Sequence, residues 1–479
     1  KSMRRRGSIT VFASLVIMLV ANFLFALLEA SRYTELSKVA EMRANADIES
    51  VFSQYCIPLY ENYGLLGYDC QGTNVEWFLK DLSEAGLAEP KGLFWEKRLD
   101  LLRLSMDSAD VSSYTLITDG DGAVYEASVA AYMRETLAYG TAQAVYDTYM
   151  ESAQMEAESG DVDKNVDDAV EQLEQLQQSE ETEEDTDERI EDDTFGTVKE
   201  AKASGVLALV LGSDASVSGN TINISDNVSN RSLNHGANQQ VPDTDWLDYV
   251  CMEQYIIQKM GNYTKPSADH ALSYEAEYII AGKASDSDNL KTVIHELILT
   301  REAANFIYLQ SDYKKKEEAL ALATAIAGAS ANPVVITAVK QGLLASWAYC
   351  ESVLDVRTLL DGDKVPLVKT QATWTSNLSE IAALLSGQAR AKSVTTGMSY
   401  TEFLGTLLML KGTKNMAYRS MDIEEATIRS VAGYDNFRMD NVISGLNISF
   451  DYSYNPVFYN YTSNQISKSV DYSYISRWE

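Results

Sequence analysis

Residues Ser8 to Leu28 form 21 consecutive positions without a charge, and neither glycine nor proline occurs between Gly7 and Pro58. At ~1.5 Å per residue the uncharged run extends roughly 31 Å as a helix, the thickness of a bilayer core. The sequence therefore predicts one transmembrane span, continued without a break into about 50 helical residues, ~75 Å in all. Lys1, Arg4, Arg5 and Arg6 precede the run, while Glu29, Arg32, Glu35 and Lys38 follow it with mixed sign. The positive-inside rule then places the N-terminus in the cytoplasm, the lipid bilayer around the run, and the remaining chain outside. A cleaved signal peptide fits less well, because the run exceeds the ~7–15 residues of an h-region and no A-x-A site follows it. Beyond the span, Leu36, Val39, Ala40, Val51 and Phe52 form a narrow apolar stripe, and Glu35, Lys38, Glu41, Arg43 and Asp47 keep the rest wet. The stripe suits packing on one neighbour or docking on the chain's own outer domain.

Composition narrows what that outer region does. With 46% hydrophobic residues the chain can bury a substantial core, which excludes whole-chain disorder and a collagen-like fibre. The net charge of −31 would repel a phosphate backbone, so nucleic acid is excluded as a partner. Cys56, Cys70, Cys251 and Cys350 form no CxxC, and His235, His270 and His295 lie far apart, so no metal and no cofactor is expected. The pairing state of the four thiols is left open.

The outer region divides by pattern. A helical stretch is expected after Pro58 and Gly64, to about Leu87. Leu102, Leu104 and Met106 then alternate with polar residues as in a strand, and a second strand is expected at Tyr114 to Thr118. Asp119-Gly120-Asp121-Gly122 reads as a hairpin turn, since a calcium loop would need an oxygen ligand at Ala123 and glycine at Val124. Helix follows from Val129 to about Glu158. Between Glu151 and Glu200 there are 20 acidic residues against Lys164, Arg189 and Lys199. Val166, Ala169, Leu173 and Leu176 give only about two turns of seam there, and Glu180 to Asp193 is expected to be disordered. The polar tract Ser213 to Asp245 reads as a continued connection. Helical periodicity runs from Trp246 to Arg429, with Asp286-Ser287-Asp288-Asn289 as a helix cap. The uncharged stretch Ala319 to Val339 is soluble core, because Lys314, Lys315 and Lys316 would lie on the wrong side of a second span. Two strands end the chain, with Leu446, Ile448, Phe450, Tyr452 and Tyr454 on one face and Val470, Tyr472 and Tyr474 repeating the period. A two-stranded ribbon is marginal alone, so Leu102 to Thr118 should join it. Tyrosines there are expected to pack as core and edge rather than bind glycans.

Motifs for chemistry are incomplete. His295-Glu296 lacks the second zinc ligand, since Leu299 holds that place. Gly282-Lys283 lacks the earlier P-loop glycine, and Ala284 replaces the magnesium-binding hydroxyl. No GxSxG occurs. No catalytic residue is nominated and no enzyme activity is expected. Seven N-x-S/T sites, among them Asn223, Asn227 and Asn230, carry meaning only in a eukaryotic secretory pathway.

The stretch Arg6-Gly7-Ser8-Ile9-Thr10-Val11-Phe12, the apolar helix, and Leu27-Leu28-Glu29-Ala30-Ser31-Arg32 together resemble the N-terminus of TadE/TadG-type pseudopilins of tight-adherence pilus systems. The rest resembles a clostridial family of unknown function built on that N-terminus. The residues concerned are Tyr278-Ile279-Ile280-Ala281-Gly282-Lys283, Arg301-Glu302-Ala303-Ala304-Asn305-Phe306, Glu351-Ser352-Val353-Leu354-Asp355-Val356-Arg357 and Lys364-Val365-Pro366-Leu367-Val368-Lys369. The resemblance implies a bacterial envelope location, processing at Gly7-Ser8, and pilin-like or pilus platform proteins as partners. Pilin-like leaders usually carry glutamate where Phe12 stands. Phe12, Glu29 and Arg32 are therefore the candidate assembly or stalk residues, and the departure at Phe12 implies a minor or platform-associated component. Glu29 should sit near the outer boundary and pair with Arg32 at i+3. The alternative is a stalked surface adhesin or wall-binding protein that does not assemble.

The expected fold is α+β: a long N-terminal transmembrane and stalk helix, a helical layer and a small antiparallel sheet. Five segments are expected: leader, span and stalk (1–63), a strand and helix part (64–158), an acidic and polar linker, largely disordered (159–245), a helical part (246–440), and a C-terminal hairpin completing the sheet (441–479).

Overall fold

The computed structural model describes residues 3–70, 104–134, 139–159, 162–180, 194–212, 216–237, 241–327, 332–459 and 464–475. The fold is mixed, with many helices and one antiparallel sheet. It divides into two compact units. The first comprises 1–131, 233–243 and 434–479, and the second 132–232 and 244–433.

In the first unit, helix α1 (Met3–Phe52) runs as the uninterrupted sequence requires. Short α2 (Ile57–Tyr63) starts with Pro58 in its first turn and ends on left-handed Gly64. The expected helix after Gly64 is replaced by strand β1 (Tyr68–Asp69), and the portion to Leu87 lies outside the described residues from 71 onward. The two expected strands around Leu102 to Thr118 are one, β2 (Leu104–Leu116), whose register shifts at Met106/Ser108 and Val111/Ser113 absorb the break in alternation. Leu102 itself is outside the described residues. β3 (Val442–Tyr454) pairs antiparallel with β1, β2 and β4 (Gln465–Ser473), so the expected joining of the early strand to the C-terminal pair is present.

The alternation in β3 now has its partner. Leu446, Ile448, Phe450, Tyr452 and Tyr454 are buried, and the buried face packs on Leu36, Ala40, Ala44, Ile48, Val51 and Phe52 of α1. Spacings of three and four place those six on one helical face, and the two alanines let helix and sheet approach closely. Phe52 stacks on Tyr472 at 4.1 Å and meets Tyr474 edge-on at 5.0 Å. The Tyr474 hydroxyl donates to the Phe52 carbonyl at 2.6 Å. The C-terminal tyrosines are therefore core, as expected. The apolar stripe docks on the chain's own sheet, and the projecting half of the helix is no free stalk.

The Asp119-Gly122 turn joins strand to helix instead of closing a hairpin: a single 3-10 turn leads into α3 (Ala123–Arg134). The Asp119 carboxylate accepts the Leu116 and Gly236 amides at 2.7 and 3.1 Å. That side chain satisfies orphan backbone donors and ties 233–237 to the strand end.

The second unit is helical. Its centre is α12 (Pro333–Leu360), capped by Asn332 with Pro333 in its first turn and buried continuously from Gly342 to Leu360. Around it lie α4 (Tyr139–Ser159), α5 (Val162–Glu180), α6 (Thr194–Ala203), α7 (Val206–Leu211), α8 (Trp246–Lys259), α9 (Glu275–Ala281), α10 (Asp286–Ser311) and α11 (Tyr313–Ala327). Helices α13 (Ile381–Ser386), α14 (Tyr400–Lys411) and α15 (Thr413–Arg429) complete it. The helix expected to Glu158 is described as α3 and α4, with 135–138 outside the described residues. Capping is written locally: Ser285 caps α10, one residue ahead of the expected cap, and capping boxes open α8 and α14. Ala319, Ala323 and Ile326 are buried, in keeping with soluble core rather than a second span.

Two expectations about connections are corrected. Described parts of 159–245 are structured rather than a loose linker. Val166 and Ala169 of α5 are buried, and a Cβ on Gly342 of α12 would lie 2.4 Å from that of Ala169, so the seam packs inside the unit at very close range. The expected disorder beyond Glu180 falls on 181–193, outside the described residues. The polar tract is also pinned. Asn227 donates to the Tyr278 hydroxyl at 2.9 Å, Ser229 to Asp422 at 2.7 Å, and Arg231 grips Glu425 through two 2.6 Å bonds. Hydrogen bonds order this tract where apolar periodicity is lacking.

Candidate functional site

Three places bring chemistry-bearing side chains together. The first is the membrane-side end of the first unit. From Ile9 to Leu28 large apolar side chains of α1 are exposed, and the most apolar window has a mean hydropathy of 2.6 and no buried share. Among the described residues this is the one helix long and apolar enough to cross a membrane. Gly7 and Ser8 lie within its first turns, and Phe12 is exposed on it. The candidates Glu29 and Arg32 meet, as expected, at 2.7 Å. No local pattern marks what covers them. The second Glu29 oxygen accepts the Phe458 amide at 3.0 Å, and Arg32 donates to the Asn455 carbonyl at 2.9 Å with its guanidinium 5.8 Å from the centre of the Tyr454 ring. Glu29 is 1% exposed. The pair clamps the segment after β3 onto α1, and Phe12 lies about five turns away from it along the helix.

The second place is a charge cluster in the core of the second unit. Lys369 sits 2.7 Å from Glu351 and 2.7 Å from Asp355. Arg301 binds Asp355 through Nε at 3.1 Å and Nη2 at 2.9 Å, and donates to the Leu367 carbonyl at 2.7 Å. Asn305 donates to Asp355 and Ser352, and Glu351 accepts the Ser376 amide and hydroxyl at 2.8 and 2.7 Å. All four charged side chains are buried. Two cations balance two anions, and each carboxylate has further donors, the condition under which buried ions are tolerated. Arg357 on the same helix has no carboxylate partner among the described residues. Its guanidinium donates to the carbonyls of Leu209, Leu384 and Leu385, in or near the last turns of α7 and α13, so two helix C-termini supply the negative potential. Burial still pulls its pKa down. Three of the four stretches quoted for the family resemblance supply this cluster. The fourth turns elsewhere: the Tyr278 hydroxyl donates to Asp422 at 2.9 Å, and Gly282 ends α9 in the left-handed region at φ 65°, a helix cap and no phosphate loop. Each charged member of the cluster has a partner within it.

The third is a cleft of about 280 Å³ lined by Thr148, Tyr149, Glu253, Glu402, Thr406 and Met409 among others. Burial pushes the Glu253 carboxyl up to about 7, with Gln254 donating to it at 2.8 Å. Glu277 is likewise pushed up to about 7 by burial, against bonds from Tyr263 and Tyr400 that oppose the shift. No nucleophile hydrogen-bonds to either carboxylate among the contacts described. Neither was singled out by sequence, where carboxylates are too frequent to distinguish.

All four cysteines are free thiols, and burial raises Cys56 and Cys251 to about 11 and Cys350 to about 12. Those three are poor nucleophiles as placed. No group of three or more His, Cys, Asp or Glu residues that could hold a metal occurs among the described residues. His295 and Glu296 do not converge on one: Glu296 pairs with Lys411 at 2.9 Å.

A family of unknown function (DUF5702) matches residues 184–454, and the chain belongs to that family. The match includes most of the helical unit and β3, and ends before β4. No curated protein and no solved structure matches the chain.

Proposed function

We propose that this is a single-pass envelope protein, a pseudopilin-like minor or platform-associated structural component of a tight-adherence type pilus apparatus, without enzymatic activity. One observation carries the reading: α1 exposes its apolar first half on all sides while its second half is committed to the sheet. A subunit that packs by its helix among other helices in a membrane needs that division. On this reading the basic start lies in the cytoplasm, and the second unit and the part of the first beyond the span lie outside the cytoplasmic membrane. Gly7-Ser8 is the processing candidate. Phe12 cannot neutralise a neighbour's new amine, and an unpaired amine in hydrocarbon is costly, which argues against a repeating filament position. Glu29 cannot take over, because Arg32 and the Phe458 amide already occupy its two oxygens.

The test is a photoreactive residue at Phe12, cross-linked in cells, with the captured neighbours identified by mass spectrometry. Pilin-like or platform proteins among the adducts support the proposal. An uncross-linked monomer with affinity for wall glycan would replace it with a surface-binding role.

A further inference from the structure

The segment that Glu29 and Arg32 clamp does not stop at their level. It turns back along α1 toward the apolar run. The Phe458 ring stacks on Phe25 with centroids 5.3 Å apart and planes 10° from parallel. The Tyr459 hydroxyl donates to the Asn22 side-chain oxygen, while the Asn22 amide donates to the Met18 carbonyl at 2.9 Å. Phe25 and Asn22 precede Glu29 by four and seven residues, so on a helix these contacts lie ~6 and ~10 Å deeper along α1 than the clamp. Both belong to the uncharged run Ser8 to Leu28.

We infer that the segment Asn455 to Tyr459 is a second membrane contact, inserted into the headgroup and acyl boundary beside α1. The occupant of its exposed apolar surface is the bilayer, because that surface is continuous with the apolar face of the spanning run. Val457 is 37% exposed and Phe458 43%, next to Phe25 at 44% and Leu24 at 53%. The chemistry suits the depth. Tyrosine and phenylalanine favour the interface, where a ring is buried and a hydroxyl keeps a partner. Asn22, the one amide in the run, would be costly in hydrocarbon, and the Tyr459 hydroxyl supplies the donor that its oxygen needs there. Glu29 and Arg32 above it neutralise each other and take the backbone groups that a loop entering lipid must not leave unpaired. Two contacts, helix and loop, would fix the rotation of the sheet about the helix axis, which one span alone leaves free.

The inference rests on α1 entering a bilayer, and the experiment separates the two claims. The full chain, with Cys70→Ser removing the partly exposed thiol, would carry a nitroxide at Val16→Cys, Val457→Cys or Ser469→Cys in phosphatidylglycerol and phosphatidylethanolamine vesicles. Relaxation by oxygen and by a water-soluble nickel chelate would be compared. The expected result is an oxygen-to-nickel ratio at Val457 severalfold above that at Ser469 and approaching that at Val16. A lipid-like ratio at Val16 with a water-like one at Val457 overturns the loop contact alone. Protection of Val457 from both reagents overturns it in favour of a protein neighbour. A water-like ratio at Val16 removes the span and the loop contact together. Phe458→Asp should lower the Val457 ratio while leaving Val16 unchanged.

Discussion

The two units keep their folds by opposite means. In the first, a helix lies on a sheet across a dry layer of aliphatic and aromatic side chains, from Leu36 and Ile48 to Phe450 and Tyr472. In the second, the central helix carries Glu351, Asp355 and Arg357 into the interior, all buried. An apolar layer is forgiving, because a lost methylene costs transfer energy and a cavity but leaves no charge behind. A buried ion cluster is unforgiving, since its desolvation is offset only while every member is present. The first arrangement holds one helix to one sheet. The second fixes one register among many helices.

Breaking the cluster should have the largest effect. Lys369→Met leaves Glu351 and Asp355 facing each other with one cation fewer, and should destabilise the helical unit by about 3–5 kcal/mol in denaturant unfolding. A loss below about 1 kcal/mol would mean that water reaches the site, and would erase the contrast between the units. Phe52→Ala, which empties the stack against Tyr472 and Tyr474, should cost about 3 kcal/mol, read as faster amide exchange in β3 and β4. Unlike the Lys369 variant, it should show no added pH dependence.

Glu253 sharpens the comparison through pH. Burial holds its folded pKa at about 7, above the ordinary carboxyl value of 4.5, so the folded state binds the proton more tightly and stability falls as pH rises from about 4.5 through 7. Glu253→Gln removes the ionisation and should flatten that slope. The gain should reach about 3 kcal/mol at pH 8 and vanish near pH 4, measured by thermal or denaturant unfolding across the range. An unchanged slope would assign the dependence to Glu277, raised for the same reason.

The same contrast explains what was legible in the sequence. The period-two alternation of Leu446 to Tyr454 and the uninterrupted run from Ser8 are local signals, and both elements stand where they were expected. The docking of α1 was half legible, because a stripe records that something covers it and not what. The charge cluster was illegible as a cluster. Arg301 and Asp355 are 54 residues apart, and each alone reads as a solvated residue on a helix. The tract after Ser213 failed for a related reason: residues such as Asn227, Ser229 and Arg231 are ordered by hydrogen bonds to Tyr278, Asp422 and Glu425, far along the chain, which leave no periodicity. The Glu29–Arg32 pair was visible at i+3, whereas its lid of Asn455 to Phe458 lies more than 400 residues away.

The central claim is that α1 is anchored in a bilayer by its exposed first half, with the chain beyond the span on the outer side. Protease added to intact protoplasts, followed by mass spectrometry of what remains in the membrane, tests it most directly. The account predicts loss of everything beyond the docked part of α1, leaving a fragment that contains Ser8 to Leu28. Survival of the full-length chain in intact protoplasts, with digestion only after lysis, would contradict it.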